Sequence, residues 1–189
     1  MAVSSQISLH RLSKRVLNCD FDDLTREMVM TKKEKAVEGN EKIVALLNRI
    51  MEYELAGVVR YTHYSLMVYG YNRLPIISWL SGQADESLAH AHKAGEMITH
   101  IGGHPSLGIG PLLETHKHDI GDILRESLEH EAAALQLYRD LFKEAEGVSI
   151  MLEEYARNMI YTEELHQGEV DKMLRKPGDL SVFSAPAQK

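Results

Sequence analysis

The sequence predicts an all-α protein, a four-helix bundle with a long crossover between its second and third helices. Three observations predict it. Four stretches repeat apolar residues at steps of three and four, and no stretch alternates apolar with polar residues as a half-buried strand does. A segment of about 15 residues rich in Gly, Pro and His separates the second stretch from the third, a length expected only of a connection that crosses over something. Near the middle of every seam an ionisable residue takes a core position.

At 189 residues the chain is long enough for one domain with a sizeable core and flanking tails. Its 44% apolar content is ordinary for a soluble protein, and no apolar stretch approaches membrane-spanning length. A formal charge of -7 argues against a dedicated nucleic-acid binder and suits a protein that attracts cations. The single cysteine, Cys19, excludes an internal disulfide framework, a four-cysteine zinc site and a rubredoxin-like iron centre, so the reducing cytoplasm is the expected compartment.

Residues 1–40 read as an N-terminal extension in which Leu9, Leu12, Val16 and Leu17, interleaved with Arg11, Lys14 and Arg15, make a short amphipathic helix suited to a docking arm. Residues 41–175 hold the bundle, and residues 176–189, opening with Lys176-Pro177-Gly178, form a polar tail.

The first helix, Glu41 to about Tyr69, has the seam Ile43, Leu47, Ile50, Glu54, Val58, Tyr61, Ser65 and Val68. Glu54 is a core position, whereas Glu52 lies off the stripe and is expected in solvent. Gly70-Tyr71-Asn72 makes a short turn, so the second helix should run back antiparallel. That helix, about Pro75 to Ile101, reads Ile76, Leu80, Gln83, Ser87, His90, Ala94, Met97 and Ile101. His90 is its ionisable intruder. The neighbouring acid is Glu86, about 100° of rotation from the Ser87 seam position, so it borders the seam and reaches inward through its own stem or a local π-bulge.

Gly102-Gly103-His104-Pro105 ends the second helix, and the crossover that follows lets the third run parallel to it. The third helix, about Asp119 to Glu146, reads Ile120, Leu124, Leu128, Glu131, Leu135, Tyr138, Phe142 and Ala145, with Glu131 in mid-seam. After Gly147-Val148, Ser149 is placed to cap a fourth helix running to about Arg175. Its seam, Leu152, Tyr155, Met159, Glu163, His166, Val170 and Met173, carries a Glu and a His one turn apart on one face.

One buried Glu-x-x-His would say little, since a lone core histidine is more often a hydrogen-bonded residue than a ligand. Four seams that each place Glu or His at mid-length say more, because buried carboxylates cost several kcal/mol each unless paired or neutralised. Two divalent cations would neutralise the carboxylates of Glu54, Glu86, Glu131 and Glu163, and with His90 and His166 the set offers oxygen and nitrogen donors without thiolate. That chemistry favours iron or manganese over structural zinc.

A Glu from each of two helices, with Glu-x-x-His from each of the other two, is the pattern of ferritin-like di-iron carboxylate proteins, which this set resembles. Residues 41–175 resemble the bacterioferritin branch in Glu54-Leu55 with Tyr61 seven residues on, His90-Ala91 before Gly102-Gly103-His104-Pro105, Glu131 running to Tyr138-Arg139, and Glu163-Glu164-Leu165-His166. The resemblance implies that Glu54 and His90 ligate one iron, that Glu131 and His166 ligate the other, and that Glu163 bridges them. Tyr61 resembles a tyrosine that sits beside the di-iron site and gives an electron during oxygen reduction. Tyr138 faces inward, either as a core aromatic or beside the site.

Four departures qualify the resemblance. Ser87 stands where the family places the second-helix carboxylate, leaving either Glu86 as the ligand or a site that holds its second metal weakly. Leu88 stands where bacterioferritins carry a haem-ligating methionine, so haem is not expected. The tail shows no fifth helix, and the N-terminal arm is longer than in the family, which bears on cage assembly.

The implied activity is oxidation of Fe(II) by O2 or H2O2 at an intrabundle di-iron site, for iron storage or detoxification in a homo-oligomer, with manganese as an alternative metal. Two other functions suit the same residues: a di-iron or iron-manganese oxidase acting on an organic substrate or peroxide, and a non-enzymatic helical assembly protein with a vestigial site.

Overall fold

A computed structural model describes residues 39–112 and 115–180. The chain separates into two units, Met1–Glu41 and Lys42–Lys189. The expected helix around Leu9 to Leu17 and the tail after residue 180 lie outside the described residues.

Four helices follow in order: α1, residues 39–67; α2, Arg73–His100; α3, Ile120–Ala145; and α4, Ile150–Leu174. No strand occurs among the described residues. Asp119 caps α3 by accepting from the Gly121 amide, and Ser149 caps α4 by accepting from the Leu152 amide. No side chain caps α2, which begins at Arg73, two residues before the expected Pro75. Proline is tolerated there because the amides of a first turn lack intrahelical partners anyway. Arg73 also reaches back to donate to the Val68 carbonyl, satisfying an acceptor that the end of α1 leaves open.

Contacts fix the topology. The start of α1 packs on the end of α2 through Ile43, Leu47, Ala94 and Ile98, and the end of α1 meets the start of α2 through Tyr61, Val68, Leu80 and Ala84, so these helices are antiparallel. Ile123 at the start of α3 packs with Tyr61 and Val68, and Leu141 near its end packs with Ile43 and Leu47. Hence α3 opposes α1 and runs with α2, as the long crossover predicted. The short turn at Gly147 (φ 73) then reverses the chain into α4.

The crossover lies along α1. Asn48 donates to the His104 carbonyl (3.1 Å) and accepts from the Ser106 amide (2.7 Å), and the Gly110 amide donates to the Glu52 carbonyl (2.8 Å). Gly110 is required by this approach, since a Cβ there would lie 3.0 Å from the Glu52 carbonyl oxygen and 3.0 Å from the Tyr53 Cα. Glu52 corrects the sequence expectation. It is half-buried and its carboxylate accepts from the Ser106 hydroxyl, because the crossover covers a face of α1 that the period alone leaves in solvent.

Two apolar clusters make up the core, one toward the α1 start and one toward its end. On α1, α2 and α3 the buried ionisable residues fall between them in sequence: Glu54 between Met51 and Tyr61, His90 between Ala84 and Ala91, Glu131 between Ile123 and Leu137. A polar layer thus divides the bundle at mid-length.

Candidate metal centre

Glu163 lies at the middle of that layer. It is 2% exposed, and its two oxygens face opposite groups: Oε1 is 3.1 Å from His90 Nδ1, and Oε2 is 3.4 Å from His166 Nδ1. Glu54, His90 and Glu163 offer ligand atoms that all lie within 4.8 Å of one another, as do Glu131, Glu163 and His166. One carboxylate therefore belongs to both groups. His90 Nδ1 is also 3.5 Å from Glu54 Oε1, and the two imidazoles lie nearly parallel, 13° apart with centroids 6.4 Å apart.

Two tyrosines hold the outer carboxylates in a reciprocal manner. Tyr61, seven residues after Glu54 on α1, donates to Glu131 on α3. Tyr138, seven residues after Glu131 on α3, donates to Glu54 Oε1 on α1 at 2.7 Å. Both rings are fully buried. Because α1 and α3 are antiparallel, an equal offset on each brings each hydroxyl to the other helix's acid.

Burial and the mutual charges of these side chains set the electrostatics. Burial, and then the Glu163 charge, raises Glu131 well above the usual carboxylate range, and burial likewise raises Glu54. Burial would raise Glu163 too, yet its polar neighbours His166, His90 and Glu131 together pull it down. Burial disfavours the charged form of His90, but the Glu163 and Glu54 carboxylates override it and push the imidazole up to about 9. His166 is raised in the same way, burial opposing and Glu163 prevailing. Glu163 Oε1 is buried and no hydrogen bond is aligned to it, despite the short distance to His90. An orphaned anionic oxygen between two histidines and two carboxylates is what a metal-ligand set presents when protons stand in for cations.

The sequence profile of the ferritin-like domain family matches residues 44–178, most of the chain and all of the cluster. The chain belongs to the ferritin-like domain family. No curated protein matches the sequence. Among solved structures, the fold is similar to that of a ferritin-like di-iron carboxylate protein from Bacillus anthracis, with a TM-score of 0.69 at 20% identity over 72% of this chain and 98% of that one. It is also similar to the Rhodobacter capsulatus bacterioferritin (TM-score 0.66, 22% identity, 71% of this chain and 84% of that one). The Dps protein of Thermosynechococcus elongatus gives a TM-score of 0.71 at 14% identity over 78% and 99%.

In the second helix of this ferritin-like domain, Glu86 and Ser87 face different neighbours. Ser87 is buried against α1: a Cβ on Gly57 would lie 2.7 Å from Ser87 Oγ. Glu86 points to the histidines instead, its Oε1 3.2 Å from His166 Nε2 and 4.0 Å from His90 Nε2. Of the two routes inward, its own stem or a π-bulge, the first is the one observed: α2 is unbroken α-helix, and the side chain alone covers the offset. With its side chain 39% exposed, Glu86 is the solvent side of the cluster and lies outside both three-ligand groups.

Arg60, Glu126 and His130, all buried, escaped the sequence reading. Arg60 Nη1 is 3.2 Å from His130 Nδ1, and Nη2 donates to Tyr64 Oη (3.1 Å) and to the Glu126 carbonyl (3.2 Å). Since a guanidinium only donates, His130 Nδ1 must accept, and a neutral His130 carries its proton on Nε2. Burial and the Arg60 charge push His130 down to about 3, so it is neutral. Tyr53 stacks on it at 4.5 Å. The missed signal was a second run of threes and fours on α3, Ile123, Ser127, His130, Ala134, Leu137 and Leu141, one residue behind the chosen seam.

Proposed function

We propose that this ferritin-like chain binds two Fe(II) ions inside the bundle and oxidises them with O2 or H2O2, storing or detoxifying iron in a homo-oligomer. The observation that carries the reading is the placement of Glu163, one carboxylate shared by two groups that each add a carboxylate and an imidazole. Glu54 and His90 would hold one ion, Glu131 and His166 the other, and Glu163 both. Iron or manganese suits this oxygen and nitrogen set. Two ferrous ions held a few Å apart supply two electrons together, which is how an oxidant is reduced without releasing one-electron products.

The chain's own residues supply the rest. Tyr61 and Tyr138 orient Glu131 and Glu54, and the Tyr61 hydroxyl is also placed to pass a proton or an electron at the Glu131 edge. Glu86 receives incoming ions on the solvent side and hands them to His166 and His90. Loading displaces the protons that His90 and Glu131 hold in the metal-free state. Haem is not part of this reading, since Leu88 stands exposed where the family's methionine would be. No helix among the described residues is long and apolar enough to cross a membrane, and a reducing cytoplasm would supply Fe(II).

The cavity of about 380 Å³ between α1, α3 and the crossover bears on the rival oxidase. Arg49, Glu52, Gln136 and Asp140 line it beside Tyr53 and Leu137, and none of the six residues of the candidate centre does, so it does not open on the centre as a substrate tunnel would. The deciding experiment is an aerobic Fe(II) titration of the metal-free full-length protein, following absorbance and particle mass together. Two irons oxidised per chain, then continued uptake in a large particle, are expected. Oxidation no faster than buffer overturns the reading.

A further inference from the structure

The crossover brings a second pair of histidines together at the far end of α1. His118 immediately precedes the α3 cap Asp119, and its ring centroid lies 6.0 Å from that of His63 on α1, at an interplanar angle of 63°. His118 Nδ1 is buried and makes no hydrogen bond. His63 follows Glu54 by nine residues, about 13 Å along a helix at 1.5 Å per residue, so this pair stands apart from the candidate centre.

We propose that His63 and His118 form a second metal site, for a divalent transition ion of the imidazole-binding class such as Zn²⁺ or Cu²⁺, with water completing the coordination. Spacing, rigidity and charge each support it. A metal–nitrogen bond of about 2.0–2.1 Å puts each ring centroid about 3.2 Å from the ion, so two rings sharing one ion have centroids about 5 to 6.4 Å apart. The observed separation falls inside that range. An ion would also supply the partner that the buried His118 nitrogen lacks, a costly atom to leave unsatisfied.

Glu126 makes the pair rigid. One of its oxygens accepts from Tyr64, the residue after His63, at 2.6 Å; the other accepts from Thr115, three residues before His118. A single buried carboxylate thus pins the two segments that carry the histidines, so little ordering is left to be done when an ion arrives. Burial raises the Glu126 pKa, but the hydrogen bonds from Thr115 and Tyr64, with the charges of Arg60 and Lys117, more than reverse that and keep it ionised. The same two cations offset its charge. Selection therefore rests on imidazole coordination and not on a negative field, which favours Zn²⁺ or Cu²⁺ over Mg²⁺ and Ca²⁺.

Equilibrium dialysis of the full-length protein against Zn²⁺, with elemental analysis, reads ions per chain. His63→Gln and His118→Gln should each lose one Zn²⁺ relative to the unaltered chain. Glu163→Gln, which removes the shared carboxylate of the candidate centre, should leave that ion bound, so failure here and failure of the iron reading are separable. An unchanged zinc count in both histidine variants overturns the proposal. Anomalous diffraction at the zinc edge from crystals of the unaltered chain decides it without any variant: a peak between His63 and His118 is expected, and zinc confined to the candidate centre overturns it.

Discussion

The hydroxyl of Tyr138 does for Glu54 what that of Tyr61 does for Glu131, and this reciprocity separates the two halves of the cluster experimentally. Groups that orient a metal ligand typically contribute about 10- to 100-fold in affinity. Tyr138→Phe keeps the ring and removes only the donor, so it should weaken one of two bound ions by about that factor and spare the other. Tyr61→Phe should do the same to the opposite ion. Stepwise Co²⁺ titrations, read by the visible spectrum, check this; equal weakening of both steps in either variant would refute the assignment of one tyrosine to each half. Glu86 should behave differently, because it contacts both histidines. Glu86→Ala is expected to slow loading at both positions in stopped-flow measurements, and unaltered rates would return it to the status of a solvated surface acid.

At the scale of helices, the close contact of α1 with α2 at Gly57 explains why position 87 holds a small residue. An added Cβ at Gly57 would meet Ser87 Oγ at 2.7 Å, His130 Nε2 at 3.0 Å and Ser87 Cβ at 3.2 Å. Gly57→Ala should therefore destabilise the fold by about 1–3 kcal/mol, the usual cost of overpacking a filled interior. Adding Ser87→Ala removes the nearest of these atoms and should recover part of the loss, a coupling measurable from urea midpoints in a double-mutant cycle. Strict additivity would show that the helices do not meet there. This contact also marks what the sequence could show. A helix's period converts directly into a face, so the seams place Glu54, His90, Glu131, Glu163 and His166 on the core-facing side. Helix order, both short turns, the Ser149 cap and the parallel run of α2 and α3 were legible for the same reason, since each depends on local chemistry or loop length. Glu126 and His130 were not, because α3 buries more of its surface than its one seam marks, and Arg60 was not, because two of its partners lie on α3. A single seam cannot report a face that only a distant loop covers, and Glu52 was misread as solvated on the same account.

For the whole molecule, the polar layer makes stability depend on metal and pH together. In the metal-free fold, His90 titrates at about 9, above the value of about 6.5 expected when unfolded. A raised histidine stabilises fully below about pH 6.5 and loses that contribution as pH climbs through about 9, a difference on the order of 3 kcal/mol for a group this buried. His166 is raised and acts in the same direction. Glu54 and Glu131, also raised, remain neutral in the fold at pH values where the unfolded chain ionises, so their contribution likewise falls as pH rises above about 4.5. Glu163, the carboxylate shared by the two ligand groups, is depressed instead, and its contribution disappears only as pH drops below that value. The metal-free protein should therefore lose thermal stability steadily from about pH 6.5 to 9. Bound divalent ions replace the protons on His90 and Glu131 and add stability by mass action, about 2.7 kcal/mol at a free-ion concentration 100 times Kd, so the loaded curve should lie higher and fall less over the same range. Scanning calorimetry of chelator-treated and Mn²⁺-loaded protein across this window tests the linkage, with Glu163→Gln as the control whose two curves should converge. Parallel curves for the unaltered chain would mean that the ions bind somewhere other than between these five side chains.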